Sequence, residues 1–341
     1  MIGYYVGLDV HKKTVSYCVK TGDGTVVDQA MVSATRQGLA LWVAGLNREW
    51  VGGMEATLFT GWIYDFLKPY ATLLRVGHPL RLRAITAAKK KSDRLDAATL
   101  ADLLRCNLFP ECYIAPPEIR ELRRVLRYRN LLVQEATRMK NKTSGLLMEV
   151  GAEYNKAKLH GAKYFSRLLE NLEDVPDSVV GLLKMTRVNL EVFQRAQRRL
   201  LDALVSHPSL KERVERLMTI AGVGQVMALT WALEIGDPDR VSSIARAVSY
   251  CGLCNAYDES AGKVRRGPLS KQRNSHLQTM LIEAAKLAPR WNPQLAAVYA
   301  HERQGGADAN QATLAVARKL VAYLLAVDKS GQAFKPRKEA L

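Results

Sequence analysis

The chain has 341 residues, 48% of them hydrophobic, which supports two or three compact units with real cores and excludes a disordered chain. Fifty Lys and Arg against 33 Asp and Glu leave a formal charge of +17, which points to a polyanionic partner, nucleic acid before membrane. No apolar run approaches the roughly 18 residues of a membrane span. The start Met1-Ile2-Gly3-Tyr4-Tyr5 is not that of a signal peptide, and five cysteines without a framework fit reduced thiols, so a cytoplasmic protein is expected.

Tyr4 to Val10 reads as an apolar strand carrying Asp9 near its end. Thr14 to Val19 alternates, Gly22-Asp23-Gly24 makes a hairpin turn and Val26 to Val32 returns, predicting three successive antiparallel strands. Helical spacing follows from Ala34 to Leu46, then a strand from Trp50 to Met54 that delivers Glu55 at its carboxyl end. A helix from Trp62 to Leu67 and a strand from Thr72 to Val76 lead to Lys89-Lys90-Lys91-Ser92-Asp93-Arg94-Leu95-Asp96. Ser92 is placed to cap a helix whose first turn holds Asp93 and Asp96 on one face. Alone, that pattern is a helix start. Beside three lysines it suits a divalent metal held near a phosphate backbone. Acids at the ends of the first and fourth strands and on the following helix converge on one edge of a mixed sheet.

Tyr113 to Pro117 is an extended break, after which Glu118 to Val150 reads as one long helix with Leu122, Val125 or Leu126, Leu132 and Leu146 on its apolar side. Arg120, Arg123, Arg124, Arg127, Arg129, Arg138, Lys140 and Lys142 crowd it with few acids to pair them, a pattern suited to tracking phosphates. From Ser178 to Val205 the positions Val179, Leu183, Leu190, Phe193, Leu200 and Leu204 follow a heptad, interrupted by Thr186 and Gln197. A coiled coil and an amphipathic helix packed on its own core both account for that spacing.

Ala221-Gly222-Val223-Gly224 separates two helices, and in a helix-hairpin-helix unit Gly222 and Gly224 let backbone amides approach a phosphate. Ser242 to Tyr250 is read as helical. Cys251 and Cys254 have the spacing of a zinc half-site, but no second pair follows, and packing beside Gly252 is the simpler reading. The stretch from Ala256 to Gly267 is read as a loop holding Ser260, with Arg265, Arg266, Lys271 and Arg273 close behind. A serine attacking a phosphodiester needs such cations, and His276 is the nearest histidine. Helices from Asn274 to Leu287 and from Thr313 to Leu325 are predicted to close the domain, separated by the Gly305-Gly306 loop, and Lys335 to Leu341 is expected to fray.

The element order and the four acids resemble a ribonuclease-H-like nuclease fold. More specifically, Gly7-Leu8-Asp9-Val10-His11-Lys12, Met54-Glu55-Ala56-Thr57 and Lys91-Ser92-Asp93-Arg94-Leu95-Asp96-Ala97 resemble the amino-terminal domain of the DEDD insertion-sequence transposases, the bridge-RNA-guided recombinases and their invertase relatives. Leu58 stands where that family often has Gly. Glu259-Ser260-Ala261 and Leu269-Ser270-Lys271-Gln272-Arg273-Asn274 resemble the family's carboxy-terminal domain, with Arg273 in a place often occupied by Gly.

The resemblance implies an α/β plus all-α chain: a ribonuclease-H-like, RuvC-like mixed sheet over 1–155, a helical coiled-coil dimerising segment over 156–210, and a mostly helical transposase domain over 211–341. It implies Mg²⁺ or Mn²⁺ on Asp9, Glu55, Asp93 and Asp96, and Ser260 as nucleophile of a phosphoserine-linked intermediate. Donor and target DNA, a bridge RNA and a dimer or tetramer are the implied partners. The rival readings are a Mg²⁺-dependent Holliday-junction resolvase or nuclease in which water attacks, and a non-catalytic nucleic-acid-binding protein.

Overall fold

The computed structural model describes residues 3–85, 92–260 and 263–336, with the backbone alone at 257, 258, 260 and 264–266. These residues fall into two compact units, 1–117 and 118–341.

The first unit is a mixed α/β sheet flanked by helices. Its elements are β1 (Tyr4–Val10), β2 (Thr14–Lys20), β3 (Val26–Ser33), α1 (Arg36–Ala44), β4 (Trp50–Glu55), α2 (Thr60–Leu67), β5 (Leu73–Gly77), α3 (Pro79–Ile85) and α4 (Asp93–Arg105). The five strands lie in the order β3-β2-β1-β4-β5, antiparallel from β3 to β1 and parallel from β1 to β5. Alternation divides the central strand between two layers. Tyr4, Val6, Leu8 and Val10 pack with Leu39, Trp42 and Val43 of α1 and Ile63 and Leu67 of α2. Tyr5, Gly7 and Asp9 face the other way, toward α4.

On that second face the helix comes unusually close. A Cβ on Gly7 would lie 1.9 Å from the Ala97 carbonyl oxygen and 2.6 Å from the Ala101 nitrogen, so only glycine lets α4 rest on β1. Gly53, the cross-strand partner of Gly7, is covered in the same way by Leu104 and Phe109. Polar ties fix the helix along its length. Lys20, buried on β2, donates to Asp102 at 2.6 Å, and Gln29 and Arg94 exchange bonds of 2.8 and 2.9 Å between β3 and the start of α4.

The second unit is mostly helical. It comprises α5 (Pro117–Glu149), α6 (Ala162–Glu170), α7 (Asp177–Val205), α8 (Pro208–Met218), α9 (Gln225–Ile235), α10 (Ile244–Tyr250), β6 (Asn255–Ser260), β7 (Lys263–Leu269), α11 (Ser275–Leu287), α12 (Pro293–Gln304) and α13 (Ala309–Ser330). Helix α9, buried from Met227 to Ile235, is the centre of its core, and α8, α10, α11 and α13 contribute around it. The buried Cys251 belongs to that core, and burial pushes its thiol up to about 12, as befits a packing residue.

Part of the α7 heptad packs within the chain: α5 and α7 run antiparallel, with Leu183 beside Leu146 and Leu147. Its polar interruptions serve that pair, since Thr143 donates to Thr186 at 3.1 Å and Gln197 donates to the Leu132 carbonyl at 2.8 Å. Residues 255–260 and 263–269, expected as a loop, pair as antiparallel strands β6 and β7, in a register that sets Asp258 opposite Arg265. Charged strands without an apolar alternation do not announce themselves. Helix α12 was hidden by the weak periodicity of its Ala-rich sequence, and Asn292 caps it with a bond from the Leu295 amide. No helix of the described residues is long and apolar enough to cross a membrane.

Candidate metal centre

The strand ends and the start of α4 assemble the first candidate site. Leu8 pairs with Met54 across the parallel β1-β4 ladder, so Asp9 and Glu55 stand one residue further on, level with each other on the α4 side. Ser92 caps α4 by accepting from the Leu95 amide at 3.3 Å, and this directs the first turn with Asp93 and Asp96 toward Asp9. Because Gly7 sits two residues before Asp9, the close approach of α4 also fixes the separation of the acids.

Side chains meet there in a tight group of three: ligand atoms of Asp9, His11 and Asp93 lie within 4.8 Å of one another. His11 Nε2 is 3.1 Å from Asp9 Oδ2 and 3.5 Å from Asp93 Oδ2. Asp96 adjoins the group closely enough to act on the charge of Asp9, while Glu55, half-buried, stands on the next strand. Burial raises the Asp9 carboxyl above the usual carboxylate range. His11 opposes that rise through its charge and hydrogen bond, and the charges of Asp93 and Asp96 reinforce it. Among the described residues, no lysine or arginine forms an ion pair with Asp9, Asp93 or Asp96. Lys89, Lys90 and Lys91 lie outside the described residues. Crowded carboxylates at a strand edge with such a donor set fit a hard divalent cation, and His11 adds a nitrogen whose place beside Asp93 no local sequence pattern signals.

The basic residues of the second unit are placed differently from one another. Arg127 grips Glu234 through two bonds of 2.8 Å, and Arg123 donates to the Leu233 carbonyl at 3.0 and 2.7 Å. Glu234 is only 1% exposed, and Asn274 adds a bond of 2.9 Å. Burial alone would raise the Glu234 carboxyl, but the bonds from Arg127 and Asn274 and the charges of Arg127 and Arg123 together hold it below its ordinary range. Arg124, one residue from that pair, is exposed. Nothing in the local sequence pairs Arg127 with an acid 107 residues away, so Glu234 escaped notice.

Gly222 has a positive φ of 94° and lies against Ala288, which explains it by close packing, whereas Gly224 is open and precedes α9 without a side-chain cap. Lys271 is exposed; Arg273 lies over Gly252 and donates to the Ser270 carbonyl at 3.0 Å. Ser260 ends β6, its backbone paired with Lys263, and the side chains of Ser260, Arg265 and Arg266 lie outside the described residues.

Two segments of the chain are similar to known protein families. Residues 6–151 match the DEDD_Tnp_IS110 transposase family, and residues 214–300 match the transposase IS116/IS110/IS902 family. Protein y4qE of Sinorhizobium fredii is 26% identical over 195 residues, 57% of this chain and 47% of its own. A "Probable family 20 transposase" of Pseudomonas aeruginosa is 26% identical over 228 residues, 64% of this chain and 67% of its own. The transposase for insertion sequence element IS1111A of Coxiella burnetii is 26% identical over 229 residues, 64% and 61%. The chain thus spans between about half and two thirds of the length of these relatives.

Proposed function

From a chain that carries both segments of the IS110/IS116 transposase family, we propose a DNA recombinase that moves an insertion sequence and cuts DNA at the Asp9 site. The observation that carries this reading is the meeting of Asp9, His11 and Asp93, with Asp96 beside them, inside the segment that matches the DEDD transposases. The strand order β3-β2-β1-β4-β5, with its change from antiparallel to parallel at β1, supports a ribonuclease-H-like, RuvC-like assignment of the first unit.

Asp9, Glu55, Asp93 and Asp96 would hold the divalent ion, Mg²⁺ or Mn²⁺. A bound cation supplies neutralisation of the charge that builds on the phosphodiester oxygens. The chain's own part is to fix the carboxylates: Gly7 seats α4, Ser92 aims its first turn, and the Lys20–Asp102 pair holds the helix to the sheet.

We assign the attacking oxygen to Ser260, which would leave a phosphoserine-linked strand. Its position at the end of β6, followed by Lys263, Arg265 and Arg266, favours that role. The family resemblance implies a protein that works as a dimer or tetramer, with 156–210 as the dimerising segment between 1–155 and 211–341. A bridge RNA pairing with donor and target DNA would supply sequence choice, and the exposed Arg124 and Lys271 suit a nucleic-acid backbone. A second reading, in which water attacks and Ser260 is only a strand-end residue, is supported by the gathering of Asp9, Asp93 and Asp96 within the segment similar to the DEDD transposase family.

Ser260→Ala and Asp9→Asn separate these readings. The recombinase predicts that each abolishes strand exchange and that the unaltered protein leaves a covalent protein–DNA adduct; hydrolysis by water predicts cleavage by Ser260→Ala without an adduct. DNA binding kept by both variants, with neither cleavage nor strand exchange by the unaltered protein, would leave only a nucleic-acid binder. Sequencing RNA that co-purifies with the protein tests guiding: a discrete species encoded beside the gene is expected, and a random mixture would count against it.

A further inference from the structure

We propose that His11 is a direct ligand of the cation held at Asp9 and Asp93, which makes this position a mixed nitrogen and oxygen site that prefers Mn²⁺ to Mg²⁺. The inference rests on the cation reading of the carboxylates and adds a donor that a purely acidic set lacks.

His11 lies in the tight turn between β1 and β2. Its amide donates to the Thr14 carbonyl at 2.9 Å, which closes the turn and holds the ring over the end of β1. Asp9 Oδ2 at 3.1 Å and Asp93 Oδ2 at 3.5 Å flank Nε2, so the nitrogen faces the space between two carboxylates that come from different elements. Donors that occupy neighbouring corners around a small dication with bonds of about 2.1 Å stand roughly 3 Å apart. The His11–Asp9 and His11–Asp93 separations of 3.1 and 3.5 Å lie near that spacing.

Packing does not require the ring to be there. The His11 side chain is 49% exposed and belongs to none of the apolar clusters, whereas the Asp9 side chain is 17% exposed and anchored in the strand. A half-exposed histidine facing the largely buried Asp9 and the exposed Asp93 is placed to hold a cation jointly with them. Imidazole nitrogen favours later first-row dications, while Mg²⁺ favours oxygen and retains its waters. Replacing one oxygen donor by His11 therefore biases the position toward Mn²⁺.

The test is pulsed electron paramagnetic resonance on the full-length protein titrated with MnCl₂, with calorimetric titration of Mn²⁺ and of Mg²⁺ alongside. The unaltered protein should show ¹⁴N modulation on the bound Mn²⁺. In His11→Ala, and equally in His11→Gln, the modulation should vanish and Mn²⁺ affinity should fall about tenfold or more, with a smaller loss for Mg²⁺. Saturable Mn²⁺ binding without ¹⁴N modulation, modulation that persists in both variants, or equal losses for the two ions would overturn the role of His11 and leave the carboxylate site standing. Mn²⁺ binding unchanged by Asp9→Asn would overturn the carboxylate site, and the role of His11 with it.

Discussion

Carboxylates do opposite work in the two units. In the second unit Glu234 and Asp328, 1% and 2% exposed, each receive a bidentate arginine: Arg127 at 2.8 Å on both oxygens, and Arg213 at 2.7 Å on both, with Trp231 adding a bond of 2.9 Å to Asp328. In the first unit Asp9, Asp93 and Asp96 gather at a strand edge, and among the described residues only His11 bridges Asp9 and Asp93. A buried acid with a permanent counter-ion is finished when the chain folds. Acids that repel one another at an accessible edge leave charge for something else to neutralise, and folding pays for the crowding with a raised Asp9 carboxyl.

The comparison breaks most visibly in activity. Asp9→Asn should reduce DNA cleavage by about a thousandfold or more, the scale expected when a ligand of an essential cation is lost. The same substitution should leave thermal stability unchanged or raised, because it removes a desolvated charge, and a melting curve checks this. Glu234→Gln should do the reverse in kind: it removes the buried acceptor charge that Arg127, itself 44% exposed and free to re-solvate, and Asn274 hold, and costs about 1–3 kcal/mol of stability, readable in denaturant unfolding.

A smaller effect sharpens the first half of the contrast. Mn²⁺ at 100 times its dissociation constant should stabilise the first unit by about 2.7 kcal/mol, a shift that EDTA reverses and that Asp9→Asn abolishes. Gly7→Ala should cost about 1–3 kcal/mol by pushing α4 off β1. It should also weaken Mn²⁺ binding, although Gly7 touches no cation, and calorimetry would detect both effects.

The dependence on pH separates the two kinds of acid by sign. Glu234 has a lowered carboxyl, so its contribution to stability is complete above the value of an unfolded glutamate and is lost as pH falls through its folded value. Asp9 has a raised carboxyl, so its ionisation costs stability above that value, and the cost disappears as pH falls. Cation affinity should accordingly begin to decline at a higher pH than an ordinary aspartate would dictate, and Mn²⁺ titrations at several pH values measure it.

The first unit was legible because its signals are local. Alternation in Tyr4 to Val10, the Gly22-Asp23-Gly24 turn, and Ser92 before Asp93 each specify structure within a few residues, and the strand pairing follows. Acids that end apolar strands are carried to the sheet edge by the same logic. In the second unit the decisive facts are pairings across long sequence distances. The arginines of α5 resemble a phosphate-tracking row until Arg123 and Arg127 are found on Leu233 and Glu234. The heptad of α7 likewise needs the position of α5 before Thr186 and Gln197 make sense. His11 falls between these cases: its neighbour Asp9 is two residues away, but Asp93 reaches it only through the fold.

Crystals grown with MnCl₂ and measured at the manganese absorption edge give the most direct test of the carboxylate site. An anomalous peak bounded by Asp9 and Asp93 is predicted, and it should disappear in the Asp9→Asn protein. Manganese bound only at other positions, with the Asp9 carboxylate free of metal, would contradict the account.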